Sequence, residues 1–186
     1  MKEGLFMKYF IITKKQIMWC FSALMAVVIA VVGSVATFAE SDRKLPIYCV
    51  ECDKKQIAIS FDAAWGNDDT QQLIDILAEY KVPATFFVVG AWVDKYPESV
   101  KQLSDAGHQV QNHSNTHPYM TGLSTEQMID ELESCNKKIE NVTGKKPMLF
   151  RPPYGDYDNR VIEAVESVDM YTIQWDCETL ATKVIM

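Results

Sequence analysis

The chain has 186 residues, 48% hydrophobic and 23% charged, with a formal net charge of −7. That apolar content supports a packed core and excludes a disordered or low-complexity chain, and the length suits one ordinary domain. Four of the 18 basic and one of the 25 acidic residues precede residue 40, which leaves 14 basic against 24 acidic beyond it. With no basic cluster apart from short Lys pairs, that remainder argues against a nucleic-acid partner.

In chain order, Lys14 and Lys15 precede a charge-free run from Ile17 to Ala39 that ends in small residues before Glu40. This is the build of a secretory signal or an N-terminal membrane anchor, with Met7 as an alternative start. The run is about as long as the ~20 apolar residues that span a bilayer, so hydropathy leaves cleaved signal and retained anchor both open. Either way the lysines before the run place residues 40 onward outside the cytoplasm. Residues 40–55 read as a linker, and they carry Cys49 and Cys52 as a lone CxxC. Without a second pair that motif is a weak zinc signal, and Cys20, Cys135 and Cys177 are isolated.

The domain is expected over 56–186. Gln56 to Asp62 alternates as a strand with Ile57, Ile59 and Phe61 on one side. Asp68 or Asp69 then caps a helix carrying Leu73, Ile76, Leu77 and Tyr80. Residues 82–90 are a nearly continuous apolar strand, as expected where both faces are covered. Pro97 opens a helix closed by Gly107, and residues 108–112 form a third strand. Ser124-Thr-Glu-Gln127 is a capping box for a long helix with Met128, Leu132, Cys135, Ile139 and Val142 on its apolar stripe, ended by Gly144. Residues 147–150 are the fourth strand, 159–168 a helix and 170–176 the fifth strand.

Strands alternating with helices predict parallel strands and right-handed crossovers, in an α/β barrel or an open wound sheet. Asp62, His113, Arg151 and Asp176 then fall at the C-terminal ends of different strands, the face on which such folds place their sites. His113-Ser-Asn-Thr-His117 spaces two imidazoles so that both can reach one metal, zinc or a neighbour of it. The motif lacks the Glu of a zincin, which disfavours metalloprotease chemistry. In Arg151-Pro-Pro-Tyr-Gly-Asp156 two prolines stiffen a loop that can present amide donors to an oxyanion, and Arg151 can hold a carboxylate. Trp65, Trp92 and Trp175 follow or end strands and read equally as an apolar wall for a sugar face or as core.

From about Leu45 to Leu180 the chain resembles the polysaccharide deacetylases of the carbohydrate esterase family with a NodB homology domain, especially the sporulation-associated branch. The residues that carry the resemblance are His113 to Pro118 (HSxxHP) and Arg151 to Gly155 (RPPYG), in that order after a strand ending in Asp62. The resemblance implies a deformed (β/α) barrel and a divalent metal, zinc or cobalt, held by Asp and two His. It implies further that a water activated by that metal attacks the acetamide of an N-acetylated glucosamine or muramic acid unit in a cell-wall, spore or chitin-like polysaccharide. His113 and His117 would be metal ligands, Asp62 base or ligand, Arg151 the orienting group for the base, and the Tyr154 amide the oxyanion donor. Relatives carry Phe-Asp-Asp where this chain has Phe61-Asp62-Ala63, so Asp68 or Asp69 is expected to supply the missing ligand. After Asp176 the chain departs from the branch, and the later strands and the Leu-x-x-His motif whose His serves relatives as general acid are absent from it. An incomplete barrel is therefore expected, with a rival reading as a membrane-tethered glycan-binding protein on an inactive deacetylase fold.

Overall fold

The computed structural model describes residues 14–41 and 43–178. Two compact units divide the chain, residues 1–43 and 44–186. In the first, one helix, α1 (Lys14–Ser41), takes up the apolar run, with Trp19, Phe21 and Leu24 exposed. Among the described residues no helix is long and apolar enough to cross a membrane. The alternative start at Met7 and the tail from residue 179 lie outside the described residues.

The second unit alternates strand and helix: β1 (Ser60–Ala63), α2 (Thr70–Glu79), β2 (Thr85–Val88), α3 (Gly90–Lys95), α4 (Pro97–Asp105), β3 (Gln109–Asn112), α5 (Thr125–Thr143), β4 (Leu149–Phe150), α6 (Asn159–Ser167) and β5 (Tyr171–Thr172). Single 3₁₀ turns lie at Met120–Gly122 and Pro153–Gly155. The five strands pair in sequence order and every pairing is parallel. Such an order, with helices as crossovers, is the curved sheet of a deformed (β/α) barrel.

The expected strands hold, each shorter than the sequence pattern suggested. β1 begins at Ser60 rather than Gln56, because Ile57 is left 89% exposed and has nothing to pack on. Asp62 sits inside β1, paired in register with Phe87, instead of ending it. Asp176 lies beyond β5 and is exposed, so it does not join the polar groups at the sheet's C-terminal end. Part of the expected linker belongs to the unit: the Lys44 N–H donates to Asn159 Oδ1 at 3.0 Å, and Ile47 pairs in parallel with Ile173. The short helix α3 was not legible as a separate element, since Gly90-Ala-Trp-Val continues the apolar pattern of the strand before it.

The long helix α5 matches its signals. Ser124 Oγ accepts from the Gln127 N–H while Gln127 Oε1 accepts from the Ser124 N–H, and Gly144 closes the helix at φ 71°, a left-handed conformation that glycine adopts without strain. On the helical side of the sheet Phe86, Val88 and Val110 pack with Leu77, Trp92, Val100, Leu103, Cys135 and Ile139. A second cluster joins Met120, Met128, Leu132, Phe150, Val161, Val165 and Met170 beneath α5 and α6. Burying side chains of this size contributes about 1.5–3 kcal/mol each before entropy is counted.

Strand alternation then sorts the remaining side chains. Phe86 and Val88 point at the helices, so Phe87 between them points the other way. Asp62 and Gln111 lie in register with Phe87 on that same inner side. Continuing the alternation past the strand ends puts His113 and Arg151 on the inner side as well. Parity alone therefore brings Ser60, Asp62, His113 and Arg151 to one face.

Candidate active site

Arg151 organises this face. The residue is 5% exposed, and its guanidinium donates through Nη1 to Asp62 Oδ1 at 2.7 Å and through Nη2 to Ser60 Oγ at 2.7 Å and lies 4.0 Å above the Phe87 ring. Its carbonyl oxygen meets His113 Nδ1 at 2.7 Å. Because a carbonyl can only accept, Nδ1 carries the proton and Nε2 is left as a lone pair. That lone pair faces the second carboxylate oxygen of Asp62, 3.9 Å away. Burial pushes the His113 imidazole down to about 4, partly opposed by Asp62, so it is neutral and able to ligate near pH 7.

His117 follows in a strained loop. Both Ser114 and His117 have positive φ, 66° and 63°. The loop is held by hydrogen bonds: the His117 N–H donates to Ser114 Oγ, the Ser114 N–H to Asn112 Oδ1, and Glu131 on α5 accepts from the N–H groups of Asn115 and Thr116 and from Thr116 Oγ1. Asn112 is itself pinned to α5 through the Leu132 carbonyl and Asn136 Oδ1. Gly90 is required beneath the loop, because a Cβ there would collide with Asn115 Oδ1 while the Gly90 N–H donates to the Ser114 carbonyl. The two imidazole rings meet edge-on at 5.0 Å, and burial lowers the His117 pKa too.

The Pro152–Asp156 loop forms the opposite wall. Tyr154 takes a left-handed conformation at φ 60°, uncommon for an aromatic residue. Asp156 ties the loop down by accepting from the Thr121 N–H and Oγ1. The turn's hydrogen bonds run from the Gly155 and Asp156 N–H groups, leaving the Tyr154 N–H out of both. The Tyr154 ring packs edge-on against His117 at 4.6 Å and stacks on Tyr119 at 4.3 Å.

The donor chemistry suits a divalent ion, with two neutral imidazoles beside a carboxylate. His117 Nδ1 is buried with no hydrogen-bond partner, an arrangement that an ion or a ligand would relieve. The pair therefore fits as two nitrogen ligands. Among the described residues, however, no group of three His, Cys, Asp or Glu side chains stands at metal-holding spacing. Asp62 is shared with Arg151, and Asp68 and Asp69 are not gathered to the pair. Asp69 occupies the cap position of α2 but its carboxylate makes no cap hydrogen bond, against the expectation of a side-chain cap.

The tryptophans divide between the two roles left open. Trp92 is core, 3% exposed, with its indole N–H bonded to the Gly66 carbonyl. Trp65 is 80% exposed with an edge contact to His117, and Trp175 lies over Arg151 at 5.9 Å. Cys49 and Cys52 are free and exposed, the Cys52 thiol donating to the Lys54 carbonyl. Sequence reasoning did not single out Glu131, Asn112 or Tyr119. Glu131 and Asn112 show only the ordinary polar pattern of a helix face and a strand end, and their partners are set by packing.

Comparison with known proteins agrees with this geometry. A family model for polysaccharide deacetylase matches residues 50–173. The chain is 36% identical over 141 residues to the Bacillus subtilis protein YlxY, covering 76% of this chain and 44% of that one. It is 35% identical over 129 residues to the peptidoglycan-N-acetylmuramic acid deacetylase PdaA of the same organism, covering 69% and 49%. The chain thus spans about half the length of these curated relatives. Among solved structures it resembles BA3943, a pseudoenzyme of carbohydrate esterase family 4 from Bacillus anthracis, at 36% identity and TM-score 0.73, covering 75% of this chain and 50% of that one. It also resembles the peptidoglycan deacetylase PdaC from Bacillus subtilis at 35% and 0.64, covering 73% and 65%. With the HSxxHP loop and the RPPYG loop joined through Arg151 and this match across the strands that carry them, the chain belongs to the polysaccharide deacetylase family.

Proposed function

We propose that this domain serves the hydrolysis of N-acetyl groups from N-acetylglucosamine or N-acetylmuramic acid units of a cell-wall or spore peptidoglycan or a chitin-like polysaccharide. The observation that carries the reading is the double engagement of Arg151, whose guanidinium holds Asp62 while its carbonyl fixes the His113 tautomer. Asp62 is the base: Arg151 occupies Oδ1 and leaves Oδ2 toward the imidazoles, where it can accept a proton from an attacking water. The Tyr154 N–H is the donor for the oxyanion that develops on the acetamide oxygen. His113 and His117 would hold a divalent ion, zinc or cobalt, with the carboxylate missing at Ala63 supplied by Asp62 itself or by Asp68 or Asp69 of the loop after β1. Such an ion would polarise the carbonyl and lower the pKa of water from about 15.7 toward 7. Outside the cytoplasm, where the segment before residue 40 would deliver it as signal or anchor, the domain would meet its polymer directly.

A second reading, a glycan-binding protein on an inactive deacetylase fold, is favoured by Ala63, by the lack of a three-donor group among the described residues and by the likeness to a pseudoenzyme. Acetate release from tetra-N-acetylchitotetraose and from purified peptidoglycan, with zinc or cobalt added, separates the two. Turnover that Asp62→Asn lowers by about 10² or more supports the enzyme. Oligosaccharide binding without acetate release, in a protein that retains its metal, establishes the second reading.

A further inference from the structure

Three uncovered aromatic rings lie beside His117 or one ring removed from it. Trp65 is 80% exposed, Tyr119 62% and Tyr154 55%. Trp65 and Tyr154 each touch the His117 ring edge-on, at 5.7 and 4.6 Å. Tyr119 lies almost parallel to Tyr154, 16° between planes at 4.3 Å. Exposure of this much aromatic surface beside a polar site is a binding signal rather than a folding one.

The backbone beside Tyr119 and Trp65 is anchored. Tyr119 follows Pro118 and precedes Met120, which is fully buried, and Thr121 bonds Asp156 of the neighbouring loop. Trp65 precedes Gly66, whose carbonyl is bonded by the Trp92 indole. A rigid aromatic loses little conformational freedom on binding, which makes it an efficient anchor. Of the cations at these loops, Arg151 is buried and engaged by Asp62 and Ser60, and Arg160, which donates to the Thr121 carbonyl, is paired with Asp158. A neutral ligand with a flat apolar face and hydroxyls at its rim fits better than an anion.

We propose that Tyr119 and Trp65 form a sugar-stacking platform that takes the apolar C–H face of a neutral pyranose unit adjoining the unit at Asp62 and His113. This rests on the reading of the site as one for N-acetylated glycans. The platform makes Tyr119 and Trp65 specificity-determining residues, selecting a polymer over a single sugar.

The test uses the full chain and calorimetric binding of tetra-N-acetylchitotetraose compared with N-acetylglucosamine. Tyr119→Ala and Trp65→Ala should each weaken tetramer binding about three- to tenfold and leave monomer binding unchanged. Tyr119→Phe, which keeps the stack, should bind as the wild type does. Trp65→Ala guards against misfolding as the cause, since its ring is mostly in solvent. Equal tetramer binding by wild type, Tyr119→Ala and Trp65→Ala overturns the proposal, as does a wild type that binds tetramer no tighter than monomer. If acetate is released, KM for the tetramer should rise in both alanine variants while kcat holds. Aromatic-dependent binding without acetate release would keep the platform and remove the deacetylase reading. Release with an unaltered KM would do the reverse.

Discussion

The two loops that bring acids and imidazoles to the site are built to different standards. The loop after β3, from His113 to His117, is anchored through Asn112, Ser114 and Glu131 to α5 and rests on Gly90 with no room for a Cβ. The loop after β1, from Ala64 to Asp69, is held by the Trp92 indole on the Gly66 carbonyl and by Asn67 Nδ2 on Ser99 Oγ, while Trp65 stays exposed and Asp69 makes no cap bond. The first loop fixes two neutral imidazoles in place; the second leaves its carboxylates uncommitted. The difference teaches that preorganisation is concentrated on the imidazoles and on Arg151, where a misplaced group costs most.

The largest effect is expected at Arg151, which joins the two halves. Arg151→Ala strands Asp62 and Ser60 and empties the space over Phe87, so stability should fall by about 3 kcal/mol and any acetate release by about 10² or more. Arg151→Lys should rescue little, because an ammonium cannot reach Asp62 and Ser60 with the same planar fork. Urea midpoints and turnover of the two variants check this. A lysine variant that behaves as the wild type would show that charge alone, and not the fork, organises the face.

Glycine substitutions compare the loops directly. Gly90→Ala would drive Cβ into Asn115 Oδ1 and set it 3.1 and 3.2 Å from the Asn115 Cα and carbonyl oxygen, so the side chain must turn and the loop backbone shift, at a cost of about 1–3 kcal/mol. Gly66→Ala has open space around its Cβ, so only the left-handed φ of 61° opposes it, at about 1 kcal/mol. Denaturant midpoints that rank Gly66→Ala as the more damaging would reverse the comparison.

A smaller, pH-dependent effect belongs to His108 at the entrance to β3. Burial lowers its pKa, and its Nδ1 accepts from the Ala84 N–H at 3.3 Å, which only the neutral ring can do. A histidine depressed in the folded state contributes stability above its unfolded pKa, near 6.5, and loses it as pH falls through that range toward the folded value. His113 adds to the same trend down to about 4. In His108→Asn, where an amide oxygen can replace the acceptor, the stability lost between about pH 7 and pH 5 should be less than in the wild type. Identical slopes would assign the whole trend to other groups.

The smallest change in stability is expected at Asp69. Its side chain makes no cap bond, so Asp69→Asn should leave the unfolding midpoint where it is. Zinc affinity measured on the same sample is the sharper reading: a drop of about tenfold or more is expected of a lost ligand. Unchanged affinity there and in Asp68→Asn would leave Asp62 as the carboxylate ligand and the β1 loop without a metal role.

Much of this was legible in the residues themselves. The capping box at Ser124 to Gln127 and Gly144 after the helix are local signals, set by which backbone groups the nearest side chains can satisfy, and α5 follows them closely. The alternation of strand and helix fixed parallel topology, and the spacing of His113 and His117 with the Arg151 loop marked the site. Strand lengths were not legible, because a strand extends only as far as its neighbour can pair: Ile57 reads as strand yet stays exposed, and Lys44 to Ile47 reads as linker yet pairs beside β5. Nor could sequence say that one guanidinium would serve both Asp62 and Ser60, that Glu131 would hold the imidazole loop, or that Trp92 would be core while Trp65 faced solvent. Those facts depend on register between strands distant in sequence and on which side of the sheet the helices cover, and only the packed tertiary structure decides them.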